Sequence, residues 1–237
     1  VLEGQPEPPK YFAEMKRINR TGPRVLGALP LPARMEANRL DALRSGAVVV
    51  DTRTAAAFAE SHVPGTISIP LNRSFTKWAG ALLPYDADLV LITSDAGAAQ
   101  QAARDLAMIG LDRVRGFLTA DAIHTWASSG GRTERMQQMT VEQLAARASN
   151  VTIIDVRARS EYDAGHLPGT TNIPLPELRD RISEIPDNAP VVLHCQGGGR
   201  SAIATSVLQA KGHRNVSNLV GGYSAWARAG LATEAKD

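Results

Sequence analysis

One cysteine in 237 residues excludes an internal disulfide framework. A lone thiol fits a reducing compartment, so a cytoplasmic setting is expected. No apolar run approaches the roughly 18 residues that a membrane span requires. The net charge is only +2, and no basic face argues for nucleic acid. The five histidines show no HxHxD run or other ligand spacing, so the chain is expected to bind no metal. An initiator Met and a charged-then-apolar leader are also missing. The opening "VLEGQPEPPKYFAEMKRINRTGP" is polar and proline-rich, and residues 1–30 are expected to be an extension or linker from an upstream domain.

What the chain does contain is a repeat. "VVVDTRTAAAFAESHVPGTISIPL" at 48–71 matches "TIIDVRARSEYDAGHLPGTTNIPL" at 152–175 without a gap. Asp51 pairs with Asp155, His62 with His166, Pro64 with Pro168 and Ile69 with Ile173, each 104 residues apart. Two copies of one α/β domain follow, expected at 31–134 and 135–237, with "SSGGRTER" as the joint. In each copy short β-branched runs ("AVVVD", "LVLIT", "VTIID", "VVLHC") alternate with helical patterns that end at Gly. That order predicts, in each copy, a mainly parallel sheet with helices on both faces. "TVEQ" at 140–143 predicts a capping box opening a helix.

The copies part company at one loop. Where the second reads "CQGGGRSA", the first reads "TSDAGAAQ", so Thr93, Ala98 and Ala99 stand opposite Cys195, Arg200 and Ser201. The first copy lacks both thiol and cation and is expected to be chemically silent. In the second, glycines carry the chain from a strand end into a helix that should start near Ser201. Successive N–H groups, the positive helix end and Arg200 would surround an anion there, the first being the thiolate itself. An inert buried cysteine fits the position but not the Gly-Gly-Gly-Arg-Ser that follows. Cysteine phosphatases and arsenate reductases place five residues between Cys and Arg. Here Gln196, Gly197, Gly198 and Gly199 make four. The smaller ring favours a single sulfur on Cys195 over a tetrahedral oxyanion, and no acid lies within the loop to protonate a leaving alcohol.

These motifs, "IIDVR", "EYDAGHLPGTTNIP", "HCQGGGRSA" and "NLVGGYSAW", make residues 140–230 resemble a rhodanese domain, while 35–130 resemble an inactive one. The resemblance implies sulfur transfer through a persulfide on Cys195, the catalytic nucleophile, with no other cofactor. The amides of Gln196, Gly197, Gly198, Gly199, Arg200 and Ser201 would cradle the persulfide, and Arg200 would stabilise it or an anionic donor. Many members have Cys-Arg or Cys-Lys where this chain has Gln196, which places a thiol persulfide such as glutathione persulfide beside thiosulfate as donor. Cyanide, glutathione or another thiol would accept the sulfur. A phosphatase-like enzyme and a non-enzymatic docking module are the alternative readings. The opening segment is similar to the joint between a metallo-β-lactamase-like domain and rhodanese repeats in persulfide dioxygenase-type fusions, implying such a domain upstream and its metal outside this chain.

His194 beside the cysteine suggests a dyad, but adjacent strand residues face opposite ways, so a structural role is expected. Asp155, Arg157 and His166 recur in the silent copy as Asp51, Arg53 and His62, which marks them as fold-holding. Trp126 and Trp226 are expected to pack terminal helices.

Overall fold

The computed structural model describes residues 11–22, 27, 31–40 and 45–235. Most of the expected 1–30 extension lies outside the described residues. Its described helix, α1 (Tyr11–Thr21), packs on the first copy: a Cβ placed on Gly80 would come within 2.7 Å of the Tyr11 ring, and one on Gly110 within 2.5 Å of Ile18. Glycine is what permits that approach.

The first copy runs β1 (Val48–Asp51), α2 (Ala55–Glu60), β2 (Ile67–Ser68), α3 (Phe75–Leu82), β3 (Leu89–Thr93), α4 (Ala96–Met108), β4 (Val114–Thr119) and α5 (Asp121–Ser128). The second runs β5 (Gln137–Met139), α6 (Val141–Ala145), β6 (Thr152–Asp155), α7 (Arg159–Asp163), β7 (Thr171–Asn172), β8 (Val191–His194), α8 (Gly199–Ala210), β9 (Val216–Leu219) and α9 (Gly222–Arg228). The strand orders are β2-β1-β3-β4 and β5-β9-β8-β6-β7, and every pairing between named strands is parallel. The four runs expected as strands, β1, β3, β6 and β8, are all interior to their sheets, because residues buried on both faces must be apolar throughout. The capping box is formed: Thr140 Oγ1 accepts from the Gln143 amide at 3.3 Å and Gln143 Oε1 from the Thr140 amide at 2.9 Å.

The copies share a core. Val50, Ile69, Phe75 and Leu82 of the first sit in one apolar cluster with Ile154, Ile203, Val207 and Leu208 of the second. Helix α8 is the wedge between them, and all eight residues from Ser201 to Leu208 are buried. A helix covered on all sides needs no polar face, which is why "SAIATSVL" shows none. Its Ser206 hydroxyl accepts the Ser68 amide of β2 at 3.0 Å. The loop at the start of α8 is therefore held from both copies.

Candidate active site

Strand β8 delivers Cys195 to the sheet's C-terminal edge, where parallel α/β sheets present their loops. The chain then turns through Gly198 at φ 96°, the N-cap of α8, so the helix begins at Gly199, two residues ahead of the expected start. A side chain at Gly198 would be strained by that backbone angle. The turn points the Gly198 amide at the Cys195 sulfur, 3.2 Å away. The Ser201 hydroxyl stands 3.5 Å from the same sulfur. Cys195 itself is 2% exposed, at the floor of the loop.

A second glycine holds the loop from behind. A Cβ on Gly222 would lie 2.1 Å from the Cys195 carbonyl oxygen. In its absence the first amides of α9 reach the loop: Tyr223 N–H donates to Cys195 O at 2.8 Å and Ser224 N–H to Gln196 O at 3.0 Å. The Gln196 side chain is turned to the same support, donating to Ser224 Oγ at 2.8 Å and accepting from Arg157 at 3.3 Å.

Arg157 links loop and scaffold. It is 2% exposed, forks onto Asp155, donates to Gly165 O at 2.6 Å and lies 4.3 Å from the Tyr223 ring centre. A buried guanidinium is tolerable because its donors are matched in this way. Arg53 makes the equivalent fork to Asp51 and donates to Ser61 O, consistent with a fold-holding role. His166 stacks on Tyr162 with ring centres 3.8 Å apart, and His62 on Phe58 at 3.9 Å. Each bonds the backbone oxygen four residues back through Nδ1 at 2.9 Å. Trp126 and Trp226 donate to Arg132 O and Ala232 O, tying down the segments after α5 and α9.

His194 is completely buried, with Nε2 3.6 Å from Asp155. Burial pushes its pKa down to about 4, against the nearby Asp155 charge that favours the proton. It is a neutral core side chain rather than a base for Cys195.

Arg200 occupies the loop's end, but both arms of its fork are taken by Glu161, at 2.6 and 2.7 Å. The pair holds the Glu161 carboxyl below the usual carboxylate range and raises the guanidinium, with the Cys195 sulfur adding a smaller effect in the same direction. Sequence reasoning misses Glu161, though a signal for it exists. Opposite Glu161 the first copy has Ala57, just as it has Ala98 opposite Arg200. The two partners are absent together.

Beyond the loop lies a cleft of about 820 Å³. Gly197, Gly198 and Gly199 form one wall, and Ala55, Ala56 and Ala59 on α2 of the first copy form another. Among the described residues no group of three or more His, Cys, Asp or Glu side chains is placed to hold a metal ion. No described helix is long and apolar enough to cross a membrane.

The rhodanese-like domain family matches the chain twice, at residues 34–118 and 140–229. A protein described as a sulfurtransferase in Allochromatium vinosum is 37% identical over 92 residues, which is 39% of this chain and 86% of that one. Thiosulfate sulfurtransferase 16, chloroplastic, of Arabidopsis thaliana is 36% identical over 94 residues, 35% of this chain and 78% of its own. Among solved structures, thiosulfate sulfurtransferase from Pseudomonas aeruginosa aligns over 86% of this chain and 44% of its own, at 22% identity and a TM-score of 0.40.

Proposed function

As this chain belongs to the rhodanese-like domain family in both of its halves, we propose that the second half moves sulfane sulfur through a persulfide on Cys195. Relatives named as sulfurtransferases support sulfur transfer in general. The observation that carries the specific reading is the Gly198 amide 3.2 Å from the Cys195 sulfur, at the mouth of a 12-residue helix. A donor amide and a helix N-terminus favour an anion at that point. The sulfur atom is the only group of the loop that can carry one.

The chemistry has two half-reactions. The Cys195 thiolate attacks the outer sulfur of thiosulfate, or the terminal sulfur of a thiol persulfide. The donor's S–S bond breaks, and sulfite or the thiolate leaves with the electron pair. A thiophile such as cyanide, glutathione or another thiol then attacks the outer sulfur of the Cys195 persulfide, and the thiolate returns. Sulfur moves at an unchanged oxidation level, so no external oxidant or further cofactor is required. Double displacement of this kind gives ping-pong kinetics. A reducing, cytoplasmic setting keeps the single thiol available between turnovers.

Mass spectrometry of the chain after thiosulfate or glutathione persulfide should show one added sulfur atom, located on the peptide containing Cys195. Cys195→Ser should take up none and lose all transfer to cyanide. A wild-type chain that stays unmodified by both donors and transfers no sulfur would overturn the proposal, and would leave the docking module as the reading.

A further inference from the structure

The loop's own cation is occupied, so an anionic donor needs another. Arg200 is forked onto Glu161, and a guanidinium paired in this way has its charge largely cancelled and its bidentate face covered. The cleft that opens onto the glycine loop contains one other cation, Arg135, and one anion, Glu60. Neither Arg135 nor Glu60 makes a side-chain ion pair or hydrogen bond among the described residues.

Arg135 is also held where it stands. On one side of it, Glu134 and His62 exchange backbone hydrogen bonds at 2.9 and 3.0 Å. On the other, the Met136 amide donates to Ala59 O at 3.0 Å, and Met136 is buried with Phe58 and Ala202 in a small cluster drawn from both copies. The Arg135 carbonyl accepts from Gln209 of α8 at 3.3 Å. The segment joining the two copies is thus strapped between α2 and α8, with Arg135 exposed at the edge of the cleft, where it also borders a second pocket lined by Glu134, Gln137 and Arg214.

We propose that Arg135, contributed by the joint between the copies, is the specificity-determining cation for the anionic end of the sulfur donor, and that Glu60 of the silent copy opposes it. The inference rests on the sulfur-transfer reading of Cys195. The silent copy then has a role of its own, because its helix α2 positions the joint and sets the charge of the cleft. The ligand class is a sulfane-sulfur donor carrying a negative group, such as the oxyanion of thiosulfate or the carboxylate of a thiol persulfide.

The test uses the full chain, thiosulfate as donor and cyanide as acceptor. Arg135→Gln should raise the KM for thiosulfate about tenfold while kcat changes less than twofold, because a charge–charge contact is removed from binding alone. Arg135→Lys should recover most of that loss, and Glu60→Gln should lower the KM below wild type. Arg104→Gln removes the same charge from the exposed face of α4 and serves as control for net charge. An Arg135→Gln protein with wild-type KM, or one whose loss is matched by Arg104→Gln, overturns the inference while leaving persulfide formation intact. Failure of the sulfur-transfer reading is separate, since the wild-type chain would then take up no sulfur at all.

Discussion

The two loops at the ends of β3 and β8 occupy the same place in two copies of one fold, yet they treat an anion in opposite ways. In the first, Asp95 caps α4: its carboxylate accepts the Ala98 amide at 2.8 Å and the Ser94 hydroxyl at 2.9 Å, and Thr93 Oγ1 donates to its carbonyl. The helix end already has its negative charge, and the Ala98 amide, followed by the Ser94 hydroxyl, holds the Asp95 carboxyl below its ordinary range. In the second, Gly198 caps α8 with no side chain, and the amide is left for the Cys195 sulfur. The first copy therefore differs by more than the missing cysteine. Its anion site is filled by its own chain.

The difference extends behind the loop. Gly222 lets α9 touch the Cys195 carbonyl, whereas α5 carries Ala122 at the corresponding place, four residues before its tryptophan. Replacing Gly222 by Ala is the largest perturbation expected, since the added carbon would meet the loop backbone. Sulfur transfer to cyanide should fall about a hundredfold, because small displacements of a reacting group cost that much. The reciprocal Ala122→Gly should leave transfer unchanged and cost about 1 kcal/mol in urea unfolding, the ordinary helix penalty.

Acid should separate the copies in another way. His194 is the buried residue before Cys195, and the first copy has Ile92 there. The unfolded chain takes up a proton on this imidazole near its ordinary pKa of 6.5, while the folded chain refuses it down to about 4. Between those values the unfolded state binds more protons, so stability drops as pH falls through the window and levels off below it. The loss amounts to roughly 3 kcal/mol, and urea midpoints measured from pH 7 to 4 should be flatter in His194→Gln. An equally steep profile in that variant would assign the acid sensitivity elsewhere.

The smallest expected effect is the most pointed. Thr93→Cys in a Cys195→Ser background restores a thiol at the first loop, yet it should acquire no sulfur from thiosulfate by mass spectrometry. The Asp95 carboxylate still holds the amide that a persulfide would need. If an added sulfur appeared on the thiol introduced by Thr93→Cys, the filled anion site would not be the reason for silence.

Much of this architecture is legible in the sequence. The repeat, the order of strands and helices, the capping box at Thr140 and the isolation of Cys195 in a glycine loop are local patterns. Each is read along the chain, without knowing which distant segments touch. The sequence reading starts α8 two residues late because Gly198 and Gly199 look like loop, and only the backbone angle at Gly198 shows the turn to be complete there. Glu161, Gly222 and Arg135 escape a sequence reading for a different reason. Their partners lie 39, 27 and 74 residues away, at Arg200, Cys195 and Gln209.

By itself, then, the sequence determined that there are two copies, that one carries a cysteine in a glycine loop and that the other has threonine there. Periodicity and residue chemistry suffice for those statements. The tertiary structure decided which cation of the cleft is unpaired among the described residues, what caps the helix in the first loop and which walls face the Cys195 loop. Those outcomes depend on how α8 wedges between the sheets and on where the joint is strapped, and long-range packing leaves no periodic trace along the chain.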